Sequence, residues 1–138
     1  MSMPLTIIPL AEATKRMSSV LGFALGALTP DEITAGLPNF AWASLPNWET
    51  LSALDIAKQT GLLRGPMTGE LLIVTEASFG AGCGAFLLDG PNLGAFVVGH
   101  LSRYGECFFN GDVIILAPQG KEIWLFHHEG VYMCARLT

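Results

Sequence analysis

His127-His128-Glu129 is the most chemically loaded tripeptide of the chain. Imidazole and carboxylate are the donors that zinc and related metals take, so two ligands from one segment can begin a metal site. On a strand, alternate residues share a face. That sets His127 and Glu129 on one side and His128 on the other. Further ligands have to come from elsewhere, and His100 is the only other histidine. The spacing is not His-Glu-x-x-His, which needs two histidines one helical turn apart. The preferred reading is a hydrogen-bonded structural or interface cluster, so neither a metal nor a cofactor is assigned. The alternative is a small metal-binding enzyme built on this tripeptide.

Other candidate chemistry is weaker. Gly80-Ala81-Gly82-Cys83-Gly84 invites a phosphate-loop reading. A dinucleotide fingerprint would need glycine where Ala85 stands and a helix to follow, whereas Phe86-Leu87-Leu88 reads as a strand. No lysine follows, so a Walker loop is excluded and a tight turn or bulge is expected. Cys107 lies near His100 in sequence, but thiol catalysis needs a depressed pKa, and Cys107 runs into Phe108-Phe109 of an expected strand. Ser78 lies in no Gly-x-Ser-x-Gly elbow. Glu106 and Asp112 flank a turn, yet sequence does not set the separation a glycosidase needs. Trp42, Trp48 and Trp124 are too dispersed for a base-stacking platform; an exposed one would serve as an interface anchor. No catalytic residue is assigned, and the chain is not expected to be an enzyme.

The elements that must position these residues divide the chain in two. Met17, Val20, Leu21, Ala24 and Leu28 recur at helical spacing, predicting a helix over 10–27 with Pro9 near its start. Thr29-Pro30-Asp31-Glu32 has the form of a helix start, with Thr29 as cap, proline at the first position and acids in the first turn. That short helix ends by Gly36. Residues 37–47 form an ordered loop pinned by Phe40, Trp42 and Leu45. A third helix is predicted from Asn47, its cap, to Thr60, ended by Gly61. After Gly65-Pro66 the character turns to short β-rich runs at 71–75 and 85–88. Residues 92–104 fit either a helix or a strand; the stripe of Leu93, Phe96, Val97, His100, Leu101 and Tyr104 favours helix. Four apolar runs at 107–109, 113–116, 123–126 and 131–134, with turn residues between, read as an antiparallel meander. The expected fold class is α+β, with N-terminal helices packed on a mostly antiparallel sheet formed by the C-terminal half, in a single domain over 1–138.

Composition narrows the function classes. The 138 residues are one domain's worth, enough to bury a real core. Apolar residues make up 51% and charged residues 14%, which excludes intrinsic disorder. The net charge of −5 argues against direct nucleic-acid binding. Residues 65–138 carry three basic and seven acidic side chains, so most of the excess lies on the sheet half. That excess reads either as solubilising charge or as an acidic face steering a basic partner. No apolar run approaches the roughly 18 residues of a membrane span, and the stretch from Val20 to Leu28 comes too late for a signal peptide. Three cysteines without CxxC spacing are expected to be buried free thiols, which suits a reducing cytoplasm. The low charged fraction leaves room for an exposed apolar patch, so a homo-oligomeric small-molecule-binding subunit is a further alternative.

The stretch from Tyr104-Gly105-Glu106-Cys107-Phe108-Phe109-Asn110-Gly111-Asp112-Val113-Ile114-Ile115 through Ile123-Trp124-Leu125-Phe126-His127-His128-Glu129-Gly130 resembles part of a bacterial immunity protein. The type is the one encoded beside contact-dependent growth inhibition toxins. The likeness extends loosely over 70–132. It implies a cytoplasmic protein that binds one cognate toxin C-terminal domain, often a nuclease, and blocks its active site or substrate path. The family has no universal binding residues to transfer. The charge argument instead selects Glu76, Asp89, Glu106, Asp112 and Glu129, all near expected turns, as partner-binding residues.

Overall fold

A computed structural model describes residues 5–63, 67–80 and 84–137. It contains strands β1 (Thr6–Ile8), β2 (Ala43–Ser44), β3 (Glu70–Val74), β4 (Ala85–Asp89), β5 (Val113–Ala117), β6 (Glu122–His127) and β7 (Val131–Arg136). The helices are α1 (Leu10–Leu21), α2 (Pro30–Thr34), α3 (Ala53–Gln59) and α4 (Leu93–Tyr104). One seven-stranded sheet runs in the order β1-β4-β3-β5-β6-β7-β2, and every neighbouring pair is antiparallel. The α+β class expected from sequence is the class observed.

The central strands are unbroken apolar runs because both sheet faces are covered. Side chains alternate along a strand, so each run divides between two cores. Leu71, Ile73, Phe86, Leu88, Val113, Ile115, Trp124 and Phe126 face one core, which also holds Ile56 of α3 and Phe96 and Val97 of α4. Leu72, Val74, Leu87, Ile114, Leu116, Ile123, Leu125 and Met133 face the other, with Ala13 and Met17 of α1 and Ile33 of α2. The helices thus lie on both faces, and α4 crosses from β4 to β5 over the intervening β3. The two edge strands β1 and β2 come from the N-terminal half, where no strand was predicted. Each is three residues or fewer, too short for alternation to register.

Local chemistry accounts for the helix ends. Gly22 adopts φ +86° and donates its N–H to Ser18 O at 2.9 Å, so α1 stops there rather than at residue 27. The chain then folds back, with Leu25 N–H on Ser18 Oγ and Gly26 N–H on Glu32 Oε1. Thr29 caps α2 as expected, its Oγ1 accepting from Glu32 N at 3.2 Å. Thr29→Ala is expected to lower stability by about 1 kcal/mol, read as a shifted urea midpoint with an unchanged slope. The third predicted helix is split. Asn47 opens a 3-10 turn over Trp48–Thr50, and α3 begins afresh at Ser52, whose Oγ accepts from Asp55 N. Residues 92–104 are helical, with Leu93, Phe96, Val97 and His100 buried. Residues 107–109 form no strand; they lie in the loop after α4, where Phe108 and Phe109 plug the core. Their apolar character reported burial, which sequence alone could not distinguish from pairing.

Candidate functional site

Antiparallel register gathers the chain's chemistry at one end of the sheet. Val74 pairs with Ile114, and Val113 with Phe126. The C-terminal end of β3, the start of β5 and the β6–β7 turn therefore lie side by side. Glu76 opens a 3-10 turn over Glu76–Phe79. A side chain at Gly111 would sit 2.5 Å from Glu76 Oε2, so the Glu76 carboxylate lies over the residue preceding Asp112. Asp112 Oδ1 accepts from the His128 backbone N–H at 2.8 Å and lies 2.8 Å from His128 Nδ1. Glu129 follows and is exposed. From above the sheet, Asp31 in the first turn of α2 brings Oδ2 to 3.6 Å from His127 Nε2.

The β6–β7 turn is held tightly. Gly130 has φ +85°, and its carbonyl accepts from Leu45 N at 2.8 Å. A methyl group there would meet the Trp48 indole, whose ring packs edge-on against Phe126. The turn also alters the expected placement of the histidines. His128 lies past the end of β6, so its ring stacks on His127 at a centroid distance of 4.3 Å instead of pointing away. Glu129 contributes its backbone N–H to His127 Nδ1 at 3.2 Å. That bond makes Nδ1 an acceptor and leaves the neutral ring's proton on Nε2, facing Asp31. The Asp112 hydrogen bond raises the His128 pKa; burial opposes it, and the charges of Asp112, Glu129 and Asp31 add to the rise.

An aromatic row adjoins these carboxylates. Trp42 lies edge-on to His127 and Phe40 edge-on to Trp42, at 6.0 and 6.1 Å. Phe40 is exposed, as is Phe79 at the end of the turn that Glu76 begins.

Of the five carboxylates selected from sequence, Glu76, Asp112 and Glu129 meet here. Asp89 does not: it pairs across from Glu70, at the opposite end of β3. Glu106 lies in the loop after α4, with Oε1 buried and without a hydrogen-bond partner among the described residues. Asp31 was not selected, although its place in a capped first turn was legible. Nothing local linked it to His127.

The remaining candidates separate. His100 is buried between Phe86, Phe96, Tyr104 and Phe108, with Nε2 3.2 Å from Thr75 Oγ1. Thr75 N–H in turn donates to Ser78 Oγ at 3.0 Å. Burial, aided by the Arg103 charge, lowers the His100 pKa to about 4. Cys107 is exposed, and so is Cys134, contrary to the expectation of buried thiols. Both sit where apolar neighbours in sequence belong to a loop or to the opposite face of an outer strand. Burial and the adjacent Glu122 carboxylate, 3.7 Å from the sulfur, raise the Cys134 pKa. The glycine-rich segment expected as a turn has its centre, residues 81–83, outside the described residues. Among the described residues no helix is long and apolar enough to cross a membrane.

One donor atom each from Asp112, His127 and His128 lies within 4.8 Å of the others, so these are the residues that could hold a metal. Asp31, Glu76, Asp112 and Glu129 make no ion pair with lysine or arginine among the described residues; the one such pair there is Arg16–Glu12 on α1. The end of the sheet therefore offers carboxylates that no lysine or arginine pairs with among the described residues, beside exposed aromatic surface. Comparison with known proteins finds no matching family model, no matching curated protein and no matching solved structure.

Proposed function

We propose that the protein is an immunity protein. It binds the C-terminal toxin domain of a contact-dependent growth inhibition system in the cytoplasm and covers that domain's active site or substrate path. The observation that carries this reading is the convergence of Asp31, Glu76, Asp112 and Glu129 from four segments at one end of the sheet, without a lysine or arginine partner among the described residues. Leaving like charges together is unfavourable for the free protein and becomes favourable when a basic surface docks. A nuclease toxin presents such a surface, because it must hold phosphates. Phe40, Trp42 and Phe79 supply the aromatic anchors from which interface energy mainly comes, and the carboxylates form the polar rim around them.

The test is co-expression with the toxin C-terminal region encoded immediately upstream. A one-to-one complex and growth that depends on this chain are the expected results. Failure to co-purify, with no rescue of growth, refutes the reading.

A further inference from the structure

We propose that His127, His128 and Asp112, with Asp31 as fourth donor, bind one divalent first-row transition-metal ion at the end of the sheet. This inference does not depend on the toxin-binding reading, and it differs from the tripeptide site that the sequence suggested. Glu129 drops out as a ligand, and two aspartates remote in sequence replace it.

The donor spacing fits an ion of this class. Tetrahedral zinc with bonds of about 2.0–2.1 Å holds its donors roughly 3.4 Å apart. Here His128 Nδ1 and Asp112 Oδ1 are 2.8 Å apart, and His127 Nε2 and Asp31 Oδ2 are 3.6 Å apart. The Asp112, His127 and His128 donors all lie within 4.8 Å. The trio of Asp112, His127 and His128 needs shifts of about an ångström, whereas Asp31, which lies outside that trio, must swing further, and its exposed side chain is free to do so. Two imidazoles with two carboxylates suit zinc, nickel or ferrous iron rather than magnesium or calcium, which prefer oxygen alone. His127 is only 9% exposed, and the Trp42 ring beside it limits its ring orientations. A ligand so confined loses little freedom on binding.

The protons balance as follows. His128 ligates through Nδ1 as a neutral ring with its proton on Nε2: the doubly protonated ring releases its Nδ1 proton to solvent, the neutral one passes it through solvent to Nε2, and the ion takes the place of that proton beside Asp112. His127 stays neutral, its proton passing through solvent from Nε2 to Nδ1. That transfer ends the 3.2 Å contact with Glu129 N–H, one neutral hydrogen bond given up for a metal–nitrogen bond. The ion would also cancel two of the negative charges on this face.

Calorimetric titration of the chain alone with zinc, followed by cobalt as a spectroscopic reporter, tests the site. We expect one ion per chain with an affinity of about 10 µM or tighter, and the visible spectrum of cobalt in a tetrahedral nitrogen–oxygen site. His128→Gln and Asp112→Asn should each weaken binding about 10–100-fold, and Glu129→Gln should leave it unchanged. Thermal unfolding of each variant separates loss of a ligand from loss of the fold, and His128, being exposed, can be changed without disturbing the core. The assignment fails if folded His128→Gln binds zinc as the parent does, or if the parent binds more weakly than about 100 µM. It also fails if cobalt shows thiolate charge-transfer bands, which would make a cysteine the ligand.

Discussion

Between pH 6.5 and pH 4 the fold is expected to lose about 3 kcal/mol through one side chain, His100. In the unfolded chain this imidazole takes up a proton near pH 6.5, and in the native state only near pH 4. Between those values the unfolded state binds one proton more than the native state, so stability rises with pH across the window. It is fully present above pH 6.5 and lost as the pH falls to 4. At about 1.4 kcal/mol per unit of pKa, the total is about 3 kcal/mol. The cause lies in the packing. His100 is buried among four aromatic rings, and its Nδ1 has no hydrogen-bond partner among the described residues. A neutral ring that donates Nε2–H to Thr75 leaves Nδ1 a bare acceptor, the cheaper of the two groups to leave unpaired. Protonation would bury an N–H donor and a charge with nothing to receive either. Arg103 in the same turn adds repulsion.

Urea denaturation at pH 7, 6, 5 and 4.5 measures this directly. His100→Gln removes the titration while keeping a polar group within reach of Thr75. Its stability should fall less steeply with acid than that of the parent. Parallel curves for the two proteins would refute the assignment. His128 acts in the opposite sense. Its raised pKa contributes stability below pH 6.5 that disappears as the pH rises through the folded value, but the ring is exposed and the effect is correspondingly small.

Reversing charge at the acidic end of the sheet should slow capture of the proposed toxin partner by roughly 10–100-fold at low salt. Glu76→Lys with Glu129→Lys is the informative pair. Both side chains are exposed, and neither carboxylate holds His128. The control is Glu70→Lys with Asp89→Lys, which changes net charge by the same amount at the opposite end of β3. If the face recognises its partner locally, the first pair loses association rate and the control loses less than about threefold. If only overall charge matters, the two pairs fall together and the proposed surface is wrong. Raising the salt should erase most of the difference, because exposed charges are screened beyond about 8 Å at physiological ionic strength. Dissociation rates should change less, since the aromatic anchors Phe40, Trp42 and Phe79 remain in place.

Much of the framework was legible because it depends on neighbours in sequence. The Thr29-Pro30-Asp31-Glu32 start of α2 is a local hydrogen-bonding pattern, and the structure realises it. The stripe from Leu93 to Tyr104 has helical period, and the competing strand reading failed because nothing pairs with it. The runs of β5, β6 and β7 were visible as apolar blocks separated by turn residues. Misreadings came where burial and secondary structure part company. Cys107-Phe108-Phe109 looked like a strand because a loop that fills the core is as apolar as one. Residues 23–27 looked like a continuation of α1 because their spacing is helical, yet Gly22 in the left-handed conformation ends the helix first.

The α+β class, the meander of β5 to β7, the capped start of α2 and the acidic excess of the second half follow from residues that are neighbours in the chain. Each of these rests on composition, on periodicity or on contacts spanning a few residues. Which of those acids stand together depends on long-range strand pairing. Asp31, Glu76 and Asp112 are separated by dozens of residues, and they come to one end of the sheet because β3, β5 and β6 pair antiparallel while α2 packs against β6. Asp89 carries the same charge and is sent to the far end by the same register. Strand pairing is set by long-range burial on two faces at once, and a single sequence records that burial only as a run of apolar residues.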